Sequence, residues 1–142
     1  MPDVPDMATA RALLDGALAK ARGLELKVSI AILDSGGHLV AFQRMDGAPP
    51  FTADVAQSKA YAVIYMRRTS AELRDMANTR PQFFDAVKSL GRRTVIPSPG
   101  GIPLPDGGAI GVSGAADPNQ DVEVAEAAIA AARALRPTQT PE

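Results

Sequence analysis

The 142-residue chain has no cysteine, no tryptophan and a single histidine. Without cysteine there can be no disulfide, thiolate nucleophile, iron–sulfur cluster or cysteine-ligated zinc. One histidine likewise rules out a histidine-rich zinc site. Aromatic side chains are scarce, four Phe and two Tyr, so a pocket that had to cover a large flat ligand would have few rings to draw on. Neither sign of charge dominates. Fifteen basic and sixteen acidic residues leave a formal net charge of -1, so the global electrostatic footprint of a nucleic-acid binder is missing. No apolar run approaches the roughly 20 residues of a spanning helix. The opening MPDVPDMA has neither the basic nor the apolar region of a signal peptide. The expectation is a cytoplasmic protein with no membrane or nucleic-acid partner. It has one domain over residues 8–136, with short flexible termini at 1–7 and 137–142.

What is present reads as alternating helix and strand. Ala8 to Leu24 carries an apolar stripe of Leu13, Leu14, Ala17, Leu18 and Ala21, with Thr9 placed to cap the helix and Gly23 to end it. In ELKVSIAIL, Leu26, Val28, Ile30 and Ile32 alternate with Lys27, Ser29 and Ala31, a strand pattern. DSGG supplies a tight turn, and HLVAFQR continues as a second strand with His38, Val40, Phe42 and Arg44 expected on one face. Thr52 can cap a helix running to about Arg68, TSAE at 69 to 72 matches a capping box, and a short helix follows Pro81. RRTVI reads as a third strand, PSPGGIPL as a constrained loop or strand edge, PDGG as a turn and AIGVSG as a fourth strand. Asp117 and Pro118 start the last helix, with a stripe of Val122, Ala125, Ile129 and Ala132. The order, roughly α-β-β-α-α-β-β-α with hairpin-like connections, predicts an α+β domain: an antiparallel β-sheet flanked by α-helices.

A few residues interrupt these patterns. Lys59 sits inside the apolar stripe of the second helix, one turn from both Val55 and Val63. Its ammonium must reach water along a packed stem or meet an anion. On either reading Lys59→Met is expected to delete the charge and spare the fold. Arg44 and Asp46 close the second strand, either as a surface ion pair worth about 0 to 1 kcal/mol or as a guanidinium placed to grip a carboxylate in two places. His38 is either a solvated imidazole beside a turn or a metal-ligating or proton-moving group. Asp34 and Ser35 are its neighbours on a turn, which is poor geometry for a catalytic triad. PGGIPL and GVSGAA lack the spacing of a phosphate loop. Glycine within a strand marks close backbone approach instead.

Taken together, DSGGHLVAFQRMDGAP, SKAY, GGIPL, GAIGVSG and NQDVEVAEAAIAA, in this order and spacing, resemble the GlcG/HbpS-like family. That family is labelled haem-degrading or haem-binding and also occurs as the C-terminal domain of PduO-type proteins. The resemblance runs from about Ala8 to Leu135. It implies an antiparallel sheet flanked by helices, assembly into homo-oligomers, and a pocket to which His38, Arg44, Asp46, Lys59, Gly100, Gly101, Ser113 and Gly114 contribute. This chain departs from the pattern where Pro97 and Pro99 stiffen PSPGGIPL and where PDG shortens the following turn.

Three functions are compatible with these features. The first is a binding protein for haem or a related tetrapyrrole, with His38 as axial metal ligand and Arg44 and Lys59 on the propionates. The second is a cofactor-independent enzyme acting on a small oxo- or hydroxy-acid. There Arg44 would clamp the carboxylate, His38 or Asp46 would move a proton and Lys59 would stabilise developing enolate charge. The third is an oligomeric accessory protein without catalysis.

Overall fold

The computed structural model describes residues 4–135. Helix α1 spans Met7–Gly23 and starts earlier than Thr9 would allow, because Asp6 is the cap and its carboxylate accepts the Thr9 amide at 2.8 Å. Part of the stretch expected as a flexible tail is therefore the cap and first residue of a helix. The expected tail at 137–142 lies outside the described residues. Strands β1 (Ser29–Leu33) and β2 (Leu39–Arg44) form a hairpin. In its turn the Asp34 carboxylate accepts the amides of Gly36 and His38, both at 2.9 Å, and Gly37 adopts φ of 81°.

Three helices follow: α2 (Phe51–Met66), α3 (Ser70–Thr79) and α4 (Pro81–Val87). Pro50 rather than Thr52 is the α2 cap. The Thr52 hydroxyl instead donates to the Pro49 carbonyl at 2.7 Å and meets the Ser29 hydroxyl at 2.8 Å, inside the protein. The capping box before α3 forms as read: Thr69 accepts the Glu72 amide, and Glu72 accepts the Thr69 amide. RRTVI is not a strand. It is irregular chain that buries Val95 against Ala62, Leu73 and Phe84. The third strand is β3 (Gly101–Pro103), within the segment read as a loop or strand edge, and β4 (Ala109–Ser113) returns antiparallel to it. Helix α5 (Pro118–Ala134) closes the fold, with Asp117 as cap.

The sheet order is β2-β1-β4-β3, antiparallel throughout. Its two faces differ in side-chain size. Val28, Ile30, Ile32, Ile110 and Val112 point toward α1 and α5 and form the main core with Leu13, Ala17, Val124 and Ala128. On the other face β1 and β4 present small residues, Leu33 excepted. Ser29, Ala31, Gly111 and Ser113 give α2 a close seat, and α3 and α4 pack outside it through Ala62, Leu73 and Phe84. Both faces are covered, so every residue of β1 and β4 is buried.

The face expected for β2 is not kept along its whole length. Ile32 pairs with Ala41 and Leu33 with Leu39, so Val40 is an extra residue in a bulge. Val40 packs with the α1/α5 core. Phe42 and Arg44 oppose Ala31 and Ser29, on the α2 side.

Candidate functional site

Lys59 is 2% exposed, so its stem does not carry the ammonium to water. Nζ donates to the Val112 carbonyl at 2.9 Å and to Asp121 Oδ2 at 3.1 Å. Asp121, 1% exposed, stands on the first turn of α5, and its other oxygen accepts the Ala115 amide at 3.1 Å. A lysine from the helix on one face of the sheet thus meets a carboxylate from the helix on the other, around the end of β4. Burial pulls the Lys59 ammonium below its ordinary value and pushes the Asp121 carboxyl above its own, while the charge of each partner opposes the shift of the other.

From the sequence Asp121 reads only as an acidic residue suited to the start of the last helix, not as a site residue, although a signal is there. The buried face of α5 is Asp121, Val124, Ala125, Ala128 and Ala132, not the expected stripe through Val122 and Ile129. Its spacing places Asp121 one turn before Ala125. Lys59 and Asp121 are each a charge inside an apolar stripe, and the signs are opposite.

The pair forms the floor of a cleft of about 450 Å³. Phe51, Val55, Ile96 and Pro118 supply apolar walls, and Ser98, Ser113 and Gly114 the polar edge. Phe51, 62% exposed, stands at the mouth. Gly100, at φ of 133°, lies so close that a Cβ there would come within 2.9 Å of Lys59 Nζ. A Cβ on Gly101 would strike the Lys59 carbonyl. These two glycines therefore serve the approach of α2 to the sheet. A smaller apolar cavity of about 210 Å³ lies between the start of α1, the end of α5 and the β3–β4 hairpin. None of the candidate site residues lines it.

Lys59, Gly100, Gly101, Ser113 and Gly114 are thus brought together at one end of the sheet, while His38, Arg44 and Asp46 are not among the cleft residues. His38 is at the hairpin end, beyond the Leu33–Leu39 pair. At about 3.3 Å per residue, that is roughly 13 Å along β1 from the Ser29 end. Its ring meets Arg92, which the sequence reading did not single out, at 3.4 Å. Arg44 lies in register with Ser29 and Ser113 but two strand spacings from β4, roughly 10 Å. Its Nη1 donates to the Ala48 carbonyl at 3.2 Å and braces the loop into α2. Asp46 is exposed and forms no ion pair with Arg44 among the described residues. No group of three His, Asp or Glu side chains is gathered as for a metal ion among those residues.

A four-stranded antiparallel sheet covered on both faces by helices, with a buried Lys–Asp pair under an apolar cleft, defines a small α+β domain with a cleft at the end of its sheet. Residues 6–130 match the family described as "Haem degrading protein HbpS-like". The chain belongs to this HbpS-like family. It is 35% identical to Protein GlcG of Escherichia coli K12 over 114 residues, covering 73% of this chain and 77% of that protein. Among solved structures, Klebsiella pneumoniae ORFY superposes with a TM-score of 0.84 at 24% identity, covering 96% of this chain and 94% of that one. The PduOC:heme complex superposes with a TM-score of 0.77 at 27% identity, covering 89% and 93%.

Proposed function

We propose that this protein binds haem or a related tetrapyrrole, with the cleft beside Lys59 receiving its apolar body. The observation that carries the reading is the lining: Phe51, Val55, Ile96 and Pro118 around about 450 Å³ with two hydroxyls at the edge. Such a lining suits a mostly apolar ligand oriented by few polar groups. The superposition on a haem complex at 27% identity supports it. The fit is to the macrocycle and not to its charges. Asp121 already occupies Lys59, and no imidazole lines the cleft. Bound haem would bring its iron and its visible absorption. The chain would supply burial and the hydroxyls of Ser98 and Ser113.

Titration of the purified protein with haemin is the test. Saturable growth of a Soret band is expected, with Ile96→Asp abolishing it, because a carboxylate on the cleft wall would have to be desolvated beside the ring. Absence of a band in wild type would overturn the reading.

The buried Lys59–Asp121 pair favours a second reading, acid–base chemistry on a small oxo- or hydroxy-acid. Two titratable groups whose environment disfavours their charges, at the floor of a small cleft, are a recurrent arrangement for proton transfer. Exchange of the C3 protons of 2-oxobutyrate for deuterium, followed by NMR, would reveal it; wild type and Asp121→Asn exchanging at the same rate would dismiss it.

A further inference from the structure

Arg92 is clamped onto the β1–β2 turn. Its Nη2 donates to the carbonyls of Gly36 at 3.1 Å and Gly37 at 3.2 Å, and its own amide donates to the Tyr61 hydroxyl at 3.0 Å. The guanidinium carbon lies 5.5 Å from the centre of the Tyr61 ring. So held, it turns Nη1 toward His38 Nδ1 at 3.4 Å. A guanidinium has donors only and stays charged, so Nδ1 must be the acceptor. In a neutral imidazole the proton then belongs to Nε2. Among the described residues no carboxylate is hydrogen-bonded to Nδ1, and Asp34 Oδ1 accepts the backbone amides of Gly36 and His38. A metal-ligating imidazole ordinarily has such a partner on its other nitrogen.

We infer that Arg92 is a positioning residue that fixes His38 as the Nε2–H tautomer, so that this imidazole offers a bound molecule a hydrogen-bond donor rather than a lone pair. Its natural partner is a carboxylate or carbonyl oxygen. Iron ligation through Nε2 would require a proton on Nδ1, pointed at the guanidinium. The tautomer does not rest on the function proposed above, whose cleft His38 does not line.

His38 is the sole histidine, so imidazole ¹⁵N spectra need no assignment. In mildly alkaline solution, wild type should show the wide separation between Nδ1 and Nε2 shifts that a single Nε2–H tautomer gives. Arg92→Met should narrow it toward that of a free histidine. A proton on Nδ1 in wild type, or equal separations in the two proteins, would overturn the inference whether or not haem binds. With haemin, His38→Gln retains a donor but no ring nitrogen. It should leave the Soret maximum unmoved and affinity within about threefold, a small fraction of one charge-assisted hydrogen bond. A displaced maximum in His38→Gln would make His38 an axial ligand and sink the donor role.

Discussion

Replacing Lys59 with methionine keeps the shape of the stem, and from helix spacing alone it is expected to spare the fold. The ion pair reverses that expectation. With the ammonium gone, Asp121, 1% exposed in wild type, keeps only backbone amides as partners among the described residues, and removing one member of a buried pair costs about 3–5 kcal/mol. Lys59→Met should therefore lose stability of that order in urea titration. Lys59→Met/Asp121→Leu should recover most of it or exceed wild type, since apolar replacement of a buried pair ranges from neutral to stabilising by up to about 4 kcal/mol. A single variant as stable as wild type would mean that the pair is not buried in solution.

The same pair sets a pH dependence of definite sign. Lys59 is lowered from 10.5 in the folded state. Between that lowered value and 10.5 the unfolded chain holds more protons, and stability from this group rises with pH. Asp121 is raised from 3.8. Between 3.8 and its raised value the folded state holds the extra proton, and stability from this group rises as pH falls. Measured against the double variant, wild type should stand least favourably near neutral pH and improve on both flanks. A difference that stays flat from pH 3.8 to 10.5 would contradict both shifts.

At the scale of elements, the close seat of α2 depends on strand residues without side-chain bulk. Gly101 lies under the Lys59 carbonyl and Gly111 under the Ala56 carbonyl. Backbone cannot move aside as a flexible side chain does. Gly101→Ala should therefore cost about 1–3 kcal/mol through overpacking, and by shifting α2 should disturb Lys59. A thermal midpoint equal to wild type would show that the helix has room to retreat. Thr69→Ala, which removes half of the α3 capping box, should cost about 1 kcal/mol and leave ligand binding untouched, because α3 does not line the cleft.

For the whole molecule, β2 is an outer strand of six residues with one edge unpaired among the described residues. Leu39 on it is 51% exposed, and Phe51 at the cleft mouth 62%. An open edge next to exposed apolar groups is a template for a second chain. We expect a closed homo-oligomer with clefts near subunit boundaries. Light scattering at micromolar concentration should give a multiple of 14.8 kDa, and a monomer would remove this expectation. Among the described residues no helix is long and apolar enough to cross a membrane.

Periodicity in the sequence determined the helices, the β1–β2 hairpin, β4 and the α+β class, because alternation and capping signals are local. It located Lys59 as an anomaly for the same reason. RRTVI misled: Val95 is apolar for a cluster with Ala62, Leu73 and Phe84, and a buried apolar run does not declare whether a ladder or a loop carries it. Reading Lys27, Ser29 and Ala31 as the alternate side of β1 did not reveal that Ser29 and Ala31 face a helix, because small residues are ambiguous between solvent and tight packing. The pairing of Lys59 with Asp121, 62 positions apart, and the separation of His38, Arg44 and Asp46 from the cleft were decided only by tertiary structure. A charge's partner is chosen by which helices meet around the end of the sheet, and that is a property of the packed layers rather than of any stretch of chain.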